Sequence, residues 1–125
     1  MDESFFFDGD CDRIVAKYLM HNFRFHEQPF LIDGDDFNAC FSLLLKDLLK
    51  KSGVEQHLRG SVANIVSNAG LDQFLSSIGL HLERVPVGVK NLFNAAKNHD
   101  VCCYFESNGH GCIYFDSNLV DDLTR

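Results

Sequence analysis

Residues 101–116 read VCCYFESNGHGCIYFD, two runs of β-forming residues separated by a segment rich in Ser, Asn and Gly. This pattern predicts a β-hairpin. Because side chains alternate along a strand, the loop length determines which side chains share a face. A two-residue turn at Asn108-Gly109 would mix the faces, whereas a three-residue loop from Asn108 to His110 keeps one face apolar, so we prefer the latter. It places Val101, Cys103, Phe105, Ile113 and Phe115 on one face and Cys102, Tyr104, Glu106, Cys112, Tyr114 and Asp116 on the other.

Helical patterns precede this hairpin. The clearest begins at Asp35 and ends at Gly53, because apolar residues recur there at i, i+3, i+4 and i+7. An earlier helix is predicted to begin after Asp10 or Asp12, either of which can act as its N-cap, and to end near Asn22. The remaining predicted elements are extended segments at 24–26 and 29–32, short helical pieces over 54–79 that end at Gly60, Gly70 and Gly79, a strand at 80–85, a helix at 87–98 and a short helix at 117–125 whose Leu119, Val120 and Leu123 point inward.

These elements predict an α+β fold in a single domain over residues 1–125. Four to six helices would pack around a small, mainly antiparallel sheet built on the C-terminal β-hairpin. The length of 125 residues suits one hydrophobic core, and a content of 46% hydrophobic residues with twelve Phe is typical of a packed fold.

Acidic residues concentrate toward both ends of the sequence. Residues 1–36 hold nine acidic and three basic side chains, and residues 101–125 hold four acidic and one basic, in a chain of net charge −7. A negative surface repels nucleic-acid phosphates and attracts a basic protein. We therefore expect a basic protein partner and no direct nucleic-acid binding. The first residues lack the basic and apolar regions of a signal peptide, and no apolar stretch is long enough to cross a membrane, so no membrane association is expected.

Five cysteines occur, at positions 11, 40, 102, 103 and 112. Their odd number and the adjacent pair do not suit a disulfide framework. Reduced thiols are typical of the cytosol, so the cysteines predict a cytoplasmic location.

The acidic segment Asp8-Gly9-Asp10-Cys11-Asp12 suggests a calcium loop at first sight. Such a loop needs Gly at its sixth position and Glu at its twelfth, where this chain has Arg13 and Leu19. A thiol oxidoreductase with a similar start would need a second Cys at Ile14. We interpret the segment as exposed charge that caps a helix, and Asp33-Gly34-Asp35-Asp36 as a turn and a cap.

His and Cys residues near the C-terminus are the remaining candidates for chemistry. A zinc ion needs four converging ligands. In the preferred register Cys103 faces away from Cys102 and Cys112, which themselves lie roughly 13 Å apart at the rise of a strand. His110 and Cys112 form a chemically possible nucleophile pair, but no oxyanion hole and no nucleotide-binding or hydrolase motif accompanies them. The sequence therefore predicts no catalytic residue, metal or cofactor.

In length, acidity and lack of a recognisable site the chain resembles bacterial toxin-immunity proteins. The resemblance implies a non-enzymatic inhibitor, a monomer when free, that neutralises a basic partner such as a nuclease toxin domain. Alternatives are a small hydrolase or thiol enzyme that uses Cys112 or Cys103 with His110, and a regulatory or structural oligomeric subunit. The residues predicted to contact the partner are Asp8, Asp10, Asp12, Asp33, Asp35, Asp36, Tyr104, Glu106, Tyr114 and Asp116.

Overall fold

The computed structural model describes residues 3–22 and 25–124, without the side chains of residues 20–28 and 122. The predicted α+β class is confirmed: the described part of the chain forms four α-helices and two small sheets. In chain order the elements are β1 (Glu3–Phe7), β2 (Ile14–Asn22), β3 (Phe25–Ile32), α1 (Gly34–Lys51), a short 3-10 turn (Glu55–His57), β4 (Leu58–Asn64), α2 (Ala69–Ser77), β5 (His81–Val85), α3 (Val89–Ala96), β6 (Val101–Phe105), β7 (Gly111–Phe115) and α4 (Ser117–Thr124).

The two sheets differ in topology. The first is antiparallel, in the order β1-β2-β3, and the second has the order β5-β4-β6-β7. In the second sheet β4 pairs in parallel with both β5 and β6, and β7 completes the hairpin antiparallel to β6. Helices α1 and α2 pack on one face of this sheet and α3 packs on the other. Among the described residues, none of the helices has the length and hydrophobicity required to cross a bilayer.

The predicted helix ending near Asn22 is wrong, because residues 14–22 form strand β2. β2 lies in the middle of its sheet, paired on both edges, and carries the β-forming residues Ile14, Val15 and Tyr18. The preceding carboxylates do not cap a helix. Asp8 instead closes a turn, in which its Oδ1 accepts hydrogen bonds from the backbone N–H groups of Asp12 and Arg13, each at 3.2 Å.

The sequence pattern also misassigned β4, which lies in a segment predicted to be helical. β4 is the central strand of the second sheet and is buried on both faces, so it lacks the alternation of polar and apolar residues that identifies a half-exposed strand. Gly60, predicted as a helix stop, lies within β4, where a Cβ would overlap the carbonyl oxygen of His81. Gly79, in contrast, follows α2 with a φ of 76°, which is typical of a helix stop.

The predicted β6–β7 hairpin is confirmed, together with its two faces. Cys103 pairs with Ile113, and the backbone N–H of Glu106 donates to the carbonyl of His110 at 2.8 Å. The loop therefore comprises residues 107–109 rather than 108–110. This moves the register by two residues and leaves each side chain on its predicted face. Helix α4 also forms as predicted, with Leu119 buried, but Val120 and Leu123 are exposed.

A buried polar network fixes α1 to the second sheet. Asn38 donates from Nδ2 to the carbonyl of Val62 at 3.0 Å, and its Oδ1 accepts hydrogen bonds from the hydroxyls of Ser42 and Ser61. Ser61 also contacts the carbonyl of Cys103 at 2.6 Å. Because each of these groups is buried and hydrogen-bonded, the network sets the position of α1 across β4 and β6.

Candidate functional site

The carboxyl ends of β4 and β6 mark the position where this topology favours a ligand site. β5 lies on one side of β4 and β6 lies on the other, so the strand order reverses at β4. In open α/β sheets, ligands bind in the crevice at the carboxyl ends of the strands where this reversal occurs. Two loops follow these strands: residues 65–68, the β4–α2 loop, and residues 106–110, which we call the hairpin turn.

Asp35 connects these two loops. It lies in the first turn of α1 with 7% of its surface exposed. Its Oδ2 accepts a hydrogen bond from the backbone N–H of Asn68 at 2.7 Å and another from the hydroxyl of Ser107 at 3.1 Å. The backbone N–H of Gly34 donates to the carbonyl of Ser107 at 3.1 Å. The N-terminus of α1 therefore holds one side of the hairpin turn.

The other side of the hairpin turn contacts residues 8–12, which we call the acidic loop. The backbone N–H of Ile14, just after this loop, donates to the carbonyl of Gly109 at 3.2 Å. Nε2 of His110 lies 3.6 Å from Oδ2 of Asp12. The approach is so close that a Cβ on Gly109 would overlap the carbonyl oxygen of Ile14. The hairpin turn is therefore enclosed between the acidic loop and α1.

Three carboxylates of the acidic loop converge. Asp8, Asp10 and Asp12 each place one carboxylate oxygen within 4.8 Å of the other two. Hard oxygen donors at this spacing match the ligand preference of Mg²⁺ and Ca²⁺. A cluster this short does not need the Gly and Glu of a twelve-residue calcium loop, so their absence from this sequence does not exclude it.

Charge, desolvation and hydrogen bonding shift the pKa values of Asp8 and Asp12 in opposite directions. Partial desolvation raises the pKa of Asp12, and the charge of Asp10 adds to this, against the opposing charge of His110. Desolvation acts in the same direction on Asp8, but the backbone N–H groups of Arg13 and Asp12 and the neighbouring acidic side chains outweigh it, so the pKa of Asp8 is lowered. The Nε of Arg13 lies 3.6 Å from Asp8 and 3.8 Å from Asp12, which reduces the repulsion between these two groups.

Asp33 and Asp36 serve as caps of α1. Oδ1 of Asp33 accepts hydrogen bonds from the backbone N–H groups of Asp35 and Asp36, and Oδ2 of Asp36 accepts from that of Asp33. This is a capping box, and it agrees with the interpretation of the segment as a turn and a cap. Burial raises the pKa of Asp33.

Four residues predicted to contact a partner, Tyr104, Glu106, Tyr114 and Asp116, lie on the hairpin face that packs against α3 or next to α4. Phe93 of α3 packs with its ring centroid 6.2 Å from those of both Tyr104 and Tyr114. Tyr104 and Glu106 are buried, with 9% and 5% of their surfaces exposed. Asp116 caps α4 by accepting a hydrogen bond from the backbone N–H of Asn118 at 2.9 Å. Tyr104 and Glu106 therefore contribute to the interior, whereas Tyr114 and Asp116 remain partly exposed.

Comparison with known proteins identifies close relatives. The family model described as phosphoacetylglucosamine mutase AMG1, domain III, matches residues 33–125. The chain is 37% identical over 118 residues to phosphoacetylglucosamine mutase 1 of Schizosaccharomyces pombe, covering 94% of this chain and 22% of that protein. It is 39% identical over 124 residues to the phosphoacetylglucosamine mutase of Mus musculus, covering 95% and 21%. The chain thus spans about a fifth of the length of these relatives.

Solved structures agree with the sequence comparison. The crystal structure of Aspergillus fumigatus N-acetylphosphoglucosamine mutase in complex with GlcNAc-6P and magnesium superposes with a TM-score of 0.89 at 30% identity. It covers 99% of this chain, including the β1–β3 sheet that precedes the family match, and 23% of the mutase chain. The substrate complex of N-acetylglucosamine-phosphate mutase, a member of the α-D-phosphohexomutase superfamily, superposes with a TM-score of 0.80.

These comparisons overturn the functional prediction made from composition. The prediction of a non-enzymatic bacterial immunity protein that binds a basic toxin or nuclease is wrong, since the relatives named above are eukaryotic sugar-phosphate mutases. Several of the acidic residues assigned to a protein-binding surface have other roles, since Asp8, Asp10 and Asp12 converge in one loop and Asp33 and Asp36 cap α1. The thiol alternative at Cys103 is also disfavoured, because burial raises the pKa of this thiol and excludes solvent.

Proposed function

Because the chain belongs to the family of phosphoacetylglucosamine mutase AMG1, domain III, we propose that it is part of an enzyme that moves a phosphoryl group between two hydroxyls of N-acetylglucosamine phosphate. The observation that supports this most directly is the convergence of Asp8, Asp10 and Asp12 beside the hairpin turn. The Aspergillus fumigatus relative was solved with both magnesium and GlcNAc-6P. A small phosphorylated sugar, rather than a basic protein, is then the partner of this site.

In this proposal Asp8, Asp10 and Asp12 hold Mg²⁺, which would neutralise negative charge on the phosphoryl oxygens during transfer. Two basic side chains orient the carboxylates. Arg13 contacts Asp8 and Asp12 from one side, and His110 contacts Asp12 from the hairpin turn. The acidic loop thus reaches the hairpin turn with its ligand atoms already close together, which reduces the conformational cost of binding a cation.

The hairpin turn is proposed to face the sugar. Its conformation is held from within and from α3, since Oδ1 of Asn108 accepts a hydrogen bond from the backbone N–H of His110 at 2.9 Å, and the carboxylate of Glu106 accepts one from the backbone N–H of Gly88 at 2.9 Å. Asn108 is exposed and His110 is half-buried, so sugar hydroxyls can reach this turn. A rigid turn next to the acidic loop suits a ligand that carries phosphate and hydroxyls together.

A cytoplasmic location and a single domain over residues 1–125 are retained as proposals. The location is supported by the five cysteines, none of which forms a disulfide in the structure. The single domain is supported by hydrogen bonds that join the two sheets, such as the one from Ile14 to Gly109.

The first test is cation binding by the full 125-residue chain, with Mn²⁺ as the probe. We expect saturable binding at one site, and Asp10→Asn should weaken it by at least about tenfold, since one carboxylate ligand is lost. Asp121→Asn, at an exposed position of α4, makes the same charge change away from the loop and should leave the Mn²⁺ affinity unchanged. Equal affinity of the wild type and Asp10→Asn would contradict the proposed site.

Activity can be tested in a chimera, because the chain covers only part of its relatives. The chain would replace the matching segment of the Schizosaccharomyces pombe mutase, to which it is 37% identical. We expect mutase activity from the chimera and its loss on introducing Asp10→Asn. A folded chimera that binds Mn²⁺ but shows no mutase activity would count against the proposed reaction.

A further inference from the structure

We propose that Asp35 is a positioning residue that holds the hairpin turn at the correct distance from the acidic loop. The inference rests on the proposed function of these two segments. Asp35 lies in neither of them, and its role would be to fix one relative to the other through the N-terminus of α1.

The contacts of Asp35 are those of a bridge between loops. Its Oδ2 binds the backbone N–H of Asn68, in the β4–α2 connection, and the hydroxyl of Ser107, in the hairpin turn. The two loops otherwise approach through the hydroxyls of Ser67 and Ser107, which lie 3.5 Å apart. A charged acceptor strengthens hydrogen bonds from both sides, so Asp35 contributes more to this junction than the pair of hydroxyls does.

Burial of Asp35 costs free energy of folding, which indicates that its contacts with Asn68 and Ser107 have a functional role. Its Oδ1 is buried and has no hydrogen-bond partner within residues 3–22 and 25–124. Burial of a carboxylate oxygen without a partner opposes folding. An exposed helix cap would not carry this cost, and Asp33 and Asp36 already form the capping box of α1. The cap therefore does not explain Asp35.

The β4–α2 loop, to which Asp35 attaches the hairpin turn, is itself held in place by hydrogen bonds. Nη1 of Arg84 donates to the carbonyls of Asn64 at 3.2 Å and Ser67 at 2.9 Å, and Nη2 donates to that of Asn68 at 3.2 Å. Arg84 also pairs with Asp72 of α2. These bonds tie the connection to β5 and α2, so Asp35 attaches the hairpin turn to a segment that is itself fixed.

Two direct contacts join the hairpin turn to the acidic loop, so a movement of the turn would alter its spacing from the loop. Gly109 accepts the hydrogen bond of Ile14, and His110 lies against Asp12. A shift of Ser107 would therefore change the spacing between the turn and the three carboxylates. A ligand that must contact both segments is sensitive to this spacing, whereas a cation contacts only the carboxylates, of which Asp12 alone lies against His110 of the turn. Asp35 should thus affect sugar-phosphate binding much more than cation binding.

The test compares Asp35→Ala and Ser107→Ala with Asp47→Ala in the full chain. Asp47 lies on the same helix, more than half exposed and outside the junction, so its substitution matches the charge change. We expect Asp35→Ala to weaken binding of GlcNAc-6-phosphate, measured with Mn²⁺ present, by about tenfold, and the Mn²⁺ affinity to change less than about twofold. Ser107→Ala should act in the same direction, and Asp47→Ala should have no effect.

Unchanged GlcNAc-6-phosphate affinity in both Asp35→Ala and Ser107→Ala would overturn the inference, as would an equal fall in Mn²⁺ affinity in a variant that keeps its fold. Should Asp35→Ala fail to fold, Ser107→Ala, which removes only a hydroxyl, decides the question.

A wild-type chain that binds Mn²⁺ but not GlcNAc-6-phosphate would contradict the proposed sugar site. In that case the amide exchange rates of Gly109 and His110 test the positioning role. They should rise about tenfold in Asp35→Ala if Asp35 holds the turn, and stay unchanged otherwise.

Discussion

At the scale of single residues, some structural roles could be predicted from the sequence and others could not. The cap at Asp33 was predictable, because Asp before a helical pattern with a second acidic residue three positions later satisfies local backbone N–H groups. The role of Asp35 was not predictable, because its partners Asn68 and Ser107 lie far away in sequence and share no pattern with it. The same holds for His110, whose contact with Asp12 depends on how the two sheets meet.

The N-cap gives a prediction at this scale. Replacing Asp33 with Ala should lower the free energy of unfolding by about 1 kcal/mol, because two backbone N–H groups lose their acceptor. Asp33→Asn keeps an acceptor oxygen and should change it by only a few tenths. Urea unfolding of the three proteins measures the difference. Equal stability of the wild type and Asp33→Ala would contradict the capping role.

The pH dependence of Asp33 follows from its environment. Burial raises the pKa of Asp33 above its ordinary value of 3.8, so the folded chain holds this proton more tightly than the unfolded chain. As the pH rises from 3.8, the unfolded chain releases the proton first, and the stability contributed by the protonated form is lost. The wild type should therefore lose stability relative to Asp33→Asn as the pH rises through and above 3.8. A constant or opposite difference in urea midpoints would show that the sign is wrong.

Among the secondary-structure elements, those with a clear local sequence signal were predictable. α1 shows the hydrophobic periodicity of a helix, and the β6–β7 hairpin shows two runs of β-forming residues around a turn segment. β4 is buried on both faces and contains Gly60, so it lacks the alternation of a surface strand, and the apolar residues of β2 also fit a helical stripe. The site loops follow β4 and β6, so missing β4 also concealed the crevice between them.

The hairpin turn gives a prediction at the scale of the element. Gly109 has a φ of 88°, and a Cβ there would overlap the carbonyl of Ile14. Gly109→Ala should therefore cost about 2 kcal/mol in the free energy of unfolding, from backbone strain and displacement of the acidic loop. Gly9→Ala is a matched control within the acidic loop, where a Cβ would meet nothing within 4 Å. If both variants unfolded at the same urea concentration, the close approach of turn and loop would be wrong.

Across the whole molecule, composition indicated a compact α+β chain but misled the functional prediction. Acidity and missing motifs are properties of the complete sequence, whereas the proposed chemistry depends on three carboxylates that meet in one loop. The distribution of Phe shows the same difference between composition and position. Phe105 is 5% exposed and stacks on Phe41 at 5.7 Å between ring centroids, whereas Phe6 in β1 is 54% exposed.

This distribution predicts where the core lies. Phe105→Ala should lower the free energy of unfolding by about 3–5 kcal/mol, since it leaves a cavity between α1 and the second sheet. Phe6→Ala removes the same atoms from an exposed position and should change it by less than about 1 kcal/mol. Thermal or urea unfolding separates the two. A large loss in Phe6→Ala would mean that the β1–β3 sheet is covered in solution.

The central position of β4 also governs how the chain is assembled during synthesis. Both of its neighbours come later in the sequence, β5 beyond α2 and β6 beyond α3 as well, so β4 has no local hairpin partner. Contacts of this kind form slowly, because the intervening chain must first be ordered. An emerging polypeptide thus displays β4 with both edges unpaired until β5 has been made, and with one edge still unpaired until β6 has left the ribosome. This interval is when the protein is most exposed to aggregation and most dependent on chaperones.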